Sequence, residues 1–148
     1  MTDDTLMGLA LNEARLALEH DDVPIGAIVV IDGAIVASRH NEREHRSDPT
    51  AHAELLALRD AAQASGSSRL DGATLVTTLE PCPMCAGAAW LARVERVVFG
   101  ADDPKAGSLG SLYNLGADPR LNHEFTVTPR VRADECATLL GNFFAARR

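Results

Sequence analysis

His52-Ala53-Glu54 and Pro81-Cys82-Pro83-Met84-Cys85 carry three metal donors and one spare carboxylate, and any fold of this chain must let the two words meet. Three protein ligands leave a coordination position for water, whereas a structural zinc is usually closed by four. The count points to catalysis.

The spacing within each word sharpens that reading. Cys82 and Cys85 are three apart, so on a helix they share one face and both reach one ion. Pro81 and Pro83 fit a helix start, where a missing N–H costs little. Thiolates at a helix N-terminus are favoured by its dipole and unpaired N–H groups. His52 and Glu54 are only two apart and point in different directions from a regular helix, so they take different jobs. A zinc ion with two thiolates and a neutral imidazole acidifies its water less than an all-histidine site does. Glu54 is therefore the candidate general base. A CxxC pair alone also fits a redox motif or half of a structural zinc site. Cys136 is an alternative fourth ligand, but the apolar stripe at 136, 139, 140, 143 and 144 assigns it to a core-facing helix.

At 148 residues and 46% apolar content, residues 1–148 suit a single domain with a full core. Three cysteines, two of them in the motif, give no disulfide framework and favour a reducing compartment. The start, Met1-Thr-Asp-Asp-Thr-Leu, lacks the basic and apolar regions of a signal peptide, and no run approaches membrane-spanning length. A cytoplasmic protein with no membrane partner is expected. The formal charge of −7 weakens non-specific attraction to phosphates, although Arg39, Arg43 and Arg46 cluster with His40 and His45 ahead of His52. Lys105 is the one lysine.

Leu6, Leu9, Ala10, Ala14, Ala17 and Leu18 fit a first amphipathic helix ended by His20-Asp21-Asp22. Residues 25–31 and 34–38 read as strands joined at Asp32-Gly33, a strong hairpin signal. Asp48 or Thr50 is a candidate cap for the helix carrying His52 and Glu54, which runs to a Ser-Gly-Ser stop. Residues 73–79 read as a buried strand feeding the cysteine helix, 94–99 and 124–128 as further strands, and the chain closes on a helix. Alternating strands and helices imply an α/β/α layered domain. The cysteine helix is apolar nearly all round, through Met84, Trp90 and Leu91, which predicts cover by a second subunit in a homodimer.

His-Ala-Glu with Pro-Cys-x-x-Cys resembles the cytidine and deoxycytidylate deaminase superfamily. The fuller text, through Val23-Pro24-Ile25-Gly26, Asp48-Pro49-Thr50-Ala51-His52, Thr78-Leu79-Glu80-Pro81-Cys82 and Gly107-Ser108-Leu109-Gly110-Ser111, is similar to its bacterial tRNA-specific adenosine deaminases. That resemblance implies the three-layer α/β/α cytidine-deaminase-like fold with a mixed five-stranded sheet. It implies one zinc ion per subunit on His52, Cys82 and Cys85, and Glu54 as proton shuttle. The implied substrate-binding residues are Asn41 on the flipped base, Val23, Pro24, Ile25 and Leu79 as apolar walls, and Asp103 with Lys105 beside the nucleotide backbone. The implied partner is the tRNA anticodon arm, and the implied reaction is adenosine to inosine at the wobble position of an arginine tRNA with an ACG anticodon. The zinc words fit equally a deaminase of a free base or nucleoside such as guanine, cytosine or cytidine.

Overall fold

The computed structural model describes residues 1–147. Gly26–Ile31 (β1) and Ala34–His40 (β2) form an antiparallel hairpin. Asp32 and Gly33 both hold positive φ, 51° and 75°, as a tight two-residue hairpin turn requires. β1 pairs antiparallel with Thr74–Leu79 (β3) as well. β3 pairs in parallel with Arg96–Ala101 (β4), and β4 in parallel with Thr126–Thr128 (β5). The sheet is thus mixed and five-stranded, in the order β2-β1-β3-β4-β5.

Alternation along the strands sorts the core into two layers. Ala27, Val29, Leu75, Val97 and Phe99 pack with Ala53, Ala57 and Leu58 of Ala53–Ser65 (α2) and with Ala86 and Ala89 of Pro83–Ala92 (α3). Ile28, Val76, Val98 and Ala101 face the other way, onto Leu6, Met7, Ala10 and Leu11 of Asp3–Leu16 (α1) and Cys136 of Ala133–Ala145 (α4). Helices on both faces give the expected α/β/α sandwich. No helix among the described residues is long and apolar enough to cross a membrane.

Several element ends differ from the sequence reading, each for a local reason. α1 stops at Leu16 and tightens into a 3₁₀ turn over Ala17–His20, which rotates Leu18 outward to 44% exposure. Leu9 lies at the edge of the stripe formed by Leu6, Met7, Ala10, Leu11 and Ala14, and is likewise exposed. β4 starts at Arg96 because the amide of Val94 closes the end of α3 on the Ala89 carbonyl. β5 starts at Thr126 because the Phe125 amide bonds the Gly116 carbonyl first. His52 itself is the N-cap residue of α2, while Asp48 accepts from the Thr50 amide and hydroxyl and caps only its own turn. α2 does end at Gly66, in a left-handed conformation. On α4, Cys136 and Phe143 are buried, whereas Phe144 is 47% exposed, so the predicted stripe is only half covered.

Two contacts hold the frame that carries the site. Gly26 lies directly under α1, where an added Cβ would strike the Ala10 carbonyl oxygen and the Ala14 amide. Neither backbone can move without displacing the helix. Glu80, buried between β3 and α3, accepts hydrogen bonds from the amides of Asp103, Leu109 and Ser111 and from the Ser111 hydroxyl. Burial pushes its carboxyl up, but the Ser111 hydroxyl and the three amides outweigh burial and hold it below its ordinary value. One carboxylate thereby gathers residues 103–111 against the start of the cysteine helix.

Gly26→Ala is expected to lose about 3 kcal/mol or more in urea denaturation, since the clash is with backbone on both counts. Glu80→Gln replaces an accepting oxygen with a donating amide and strands at least one buried N–H. The expected loss is about 1–3 kcal/mol, with faster proteolytic cutting between 103 and 111. Unchanged midpoints in either variant would show that these contacts do not hold the frame.

Candidate active site

α2 and α3 lie on the same face of the sheet, and their N-termini bring the two motif words together. His52 is the N-cap of α2, Cys82 is the N-cap of α3, and Cys85 sits in the first turn of α3 behind Pro83. Neither N-cap side chain is spent on capping its helix. His52 Nδ1 lies 3.5 Å from Cys82 Sγ and 3.6 Å from Cys85 Sγ. All three donor atoms fall within 4.8 Å of one another, a group that could hold a metal ion. His52 presents Nδ1 to both sulfurs, a choice of ring nitrogen that sequence spacing does not reveal.

The site's electrostatics favour a thiolate. Hydrogen bonding from the Cys85 thiol, with help from His52, brings the Cys82 thiol down to about 4. As the donor in that pair, Cys85 is pushed strongly up, and burial adds to the effect. The His52 imidazole is raised chiefly by its hydrogen bond to Cys82. Glu54, in the first turn of α2, is 4% exposed, and its Oε1 is buried without a hydrogen-bond partner. Burial pushes its carboxyl up to about 7. An orphaned buried carboxylate oxygen beside three metal donors is costly for stability and is the kind of group a chemical role retains.

Cys136 does not complete this group. It belongs to the opposite layer, under Gly100, whose added Cβ would meet the Cys136 sulfur. Burial pushes its thiol up to about 11, as expected for an inert core cysteine.

A cleft of about 350 Å³ is lined by Val23, Leu79, Asp103 and Lys105, four of the residues named from the sequence. Asp102, Pro104, Leu140 and Phe144 complete its walls. Leu140 and Phe144 were legible only as core positions, because their exposed sides appear once α4 has docked. Asp103 is folded onto its own loop, its Oδ1 accepting from the Lys105 and Ala106 amides. Pro24, Ile25 and Asn41 lie outside that lining: Pro24 is buried, and Ile25 packs against the inner core. The Asn41 side-chain amide is committed locally, donating to the Val23 carbonyl and accepting from the Arg43 amide. The arginine cluster is also neutralised, with Arg39 on Asp60 and Glu42, Arg46 on Glu42, and Arg43 on Glu44.

The model of the MafB19-like deaminase family matches residues 1–148. The chain is 52% identical to a tRNA-specific adenosine deaminase of Bacillus subtilis, over 100% of this chain and 92% of that protein. It is 44% identical to the Agrobacterium fabrum protein of the same name, over 96% and 93%. A solved structure from work on A-to-I editing by tRNA:A34 deaminases at the wobble position of transfer RNA superposes with a TM-score of 0.87. That pair is 45% identical over 90% of this chain and 97% of the other. Guanine deaminase from Nitrosomonas europaea superposes at 0.78 with 27% identity, over 96% and 84%. The two converging helix starts with their spare buried carboxylate are thus those of a deaminase, and identity over the full length assigns the chain to the tRNA-specific adenosine deaminase family.

Proposed function

We propose that this chain deaminates adenosine to inosine at the wobble position of a tRNA anticodon, in an arginine tRNA with an ACG anticodon. The observation that carries the chemistry is the partnerless buried Oε1 of Glu54 beside His52, Cys82 and Cys85. The choice of substrate rests on identity to tRNA-specific adenosine deaminases across the chain.

Zinc fits the donor set. Bonds of about 2.1 Å to nitrogen and about 2.3 Å to sulfur at a tetrahedral angle separate N and S by roughly 3.6 Å. The observed separations are 3.5 and 3.6 Å. His52 Nδ1, Cys82 and Cys85 would hold the ion, one per subunit. When bound, zinc supplies the Lewis acidity that makes water a nucleophile at neutral pH. Glu54 would take one proton from the attacking water and pass it to the purine ring nitrogen as the new C–O bond forms, and would then carry a second proton from the resulting hydroxyl to the amino group as the C–N bond breaks. Water and adenosine thus give inosine and ammonia. Burial keeps Glu54 away from bulk water, so the proton stays with the reacting groups.

Val23 and Leu79 supply apolar contact for a base swung out of the anticodon loop. Lys105 and Asp103 stand on the rim of that cleft, positioned by Glu80 for contact with the nucleotide backbone. Pro24, which is buried, and Ile25, packed on the inner core, would extend the apolar wall beyond Val23. Asn41 ties its amide to the Val23 carbonyl and acts on the base through the pocket wall. Residues 1–148 act as one domain in the cytoplasm, where the thiols stay reduced. A homodimer is part of the same proposal. Leu91 of α3 is 69% exposed, and the Trp90 indole N–H is buried without a partner. A second subunit over α3 would cover the first.

Purified Glu54→Ala is expected to retain its zinc while turnover falls by about 10²–10⁴. Cys136→Ser should keep full zinc. Near-normal turnover by the zinc-loaded Glu54→Ala protein would remove the proton-carrying role.

With a short ACG anticodon hairpin, inosine is expected at the wobble adenosine, with little turnover of free adenosine. Lys105→Ala should raise KM, by a margin that shrinks as salt increases. Deamination of free guanine or cytidine with no inosine in the hairpin would select a free-base or nucleoside deaminase instead. Light scattering should give the mass of two chains at micromolar concentration, and a single-chain mass would refute the dimer.

A further inference from the structure

Three histidines converge where the Gly26–His40 end of the β1–β2 hairpin meets the 3₁₀ turn after α1. His20 ends the 3₁₀ turn, His40 ends β2, and His45 follows in the loop after it. His20 Nδ1 is 2.7 Å from Asp22 Oδ2, and His40 Nδ1 is 2.7 Å from Glu13 Oε2. An ionised carboxylate only accepts, so each of these ring nitrogens carries the hydrogen. In neutral rings both Nε2 atoms are then acceptors. Yet they face each other at 3.1 Å.

Two lone pairs at that distance repel unless a proton or a metal ion lies between them. A carboxylate on the far nitrogen is what orients a metal-binding histidine and raises its basicity, and here each ring has one. Glu42 Oε1 stands 4.0 Å from His40 Nε2, close enough to accept from a water on an ion held there, while its Oε2 is taken by Arg39 and Arg46. The His45 ring stacks on His20 with centroids 4.5 Å apart, and its amide donates to Asp22 Oδ2, so His20 is gripped from two sides. Two imidazole nitrogens on a tetrahedral zinc stand roughly 3.3 Å apart, close to the spacing already present.

We propose that His20 and His40 form a second site for a divalent transition-metal ion, with water filling the remaining positions on the side of Glu42. Two imidazoles suit zinc and its neighbours rather than calcium or magnesium. An ion there ties the segment before Val23 to the end of β2 ahead of Asn41, and so braces one wall of the substrate cleft. The site shares no residue with the His52 group, and it stands or falls separately.

Zinc binding to the full-length protein at pH 7.5, measured by competition with a chromophoric chelator, tests the proposal. Wild type is expected to hold one zinc more per chain than either His20→Gln or His40→Gln. Glu13→Gln should keep the ion but bind it about 10–100-fold more weakly, since only its orientation is lost. In a Cys85→Ser background, added zinc should still raise the melting midpoint, and His40→Gln should abolish that rise. Equal zinc in wild type, His20→Gln and His40→Gln would assign the gap to a shared proton and overturn the site. If instead Cys85→Ser alone costs no zinc, the reading of the His52 centre fails while this one stands.

Discussion

Everything functional in this molecule depends on two helix starts meeting on one face of the sheet. Cys82 follows directly from β3 through Leu79, Glu80 and Pro81, so the cysteines leave the sheet in a fixed direction. His52 is brought to them because Ala53, Ala57, Ala86 and Ala89 let α2 and α3 settle closely on the same strands. Small side chains at those positions set the approach. Larger ones would hold the helices apart and separate Nδ1 from the sulfurs. The same geometry aims the unpaired amides of two helix termini toward the site, where they favour thiolate.

The sheet also acts as a partition. Alternate residues of β1, β3 and β4 feed different layers, and Cys136 falls on the side of α1 and α4. The third cysteine is therefore across the sheet from the donor group, which leaves three candidate ligands. Glu80 links this arrangement to the cleft. By collecting three amides and a hydroxyl it fastens the loop bearing Asp103 and Lys105 next to the start of α3.

The layered fold was legible because strand alternation, the Asp32-Gly33 turn and the Gly66 stop are local signals. The donor triad was legible because its words are short and their chemistry is specific. Other features depended on packing. The exposure of Leu9, Leu18 and Phe144 follows from how far each helix face is covered, which periodicity alone does not say. The arginine cluster fitted either a solvated loop or a local positive potential, and only the fold shows Asp60, Glu42 and Glu44 beside it. Asn41 read as a group aimed at substrate, and packing adds a local role that spacing does not report, since its amide also bonds the Val23 carbonyl and the Arg43 amide. Glu80 was visible as a letter in a motif, but its four donors come from residues about 23 to 31 positions away, a separation no local pattern reports.

The central claim is a metal centre with two sulfurs, one imidazole and an open position. X-ray absorption at the zinc edge of the His40→Gln protein, in which only the His52 centre is expected to hold zinc, tests it most directly. The account predicts two sulfur scatterers at about 2.3 Å together with nitrogen and oxygen scatterers at about 2.0–2.1 Å. A shell of three or four sulfurs, or one with no light-atom neighbour beyond the single imidazole, would contradict it.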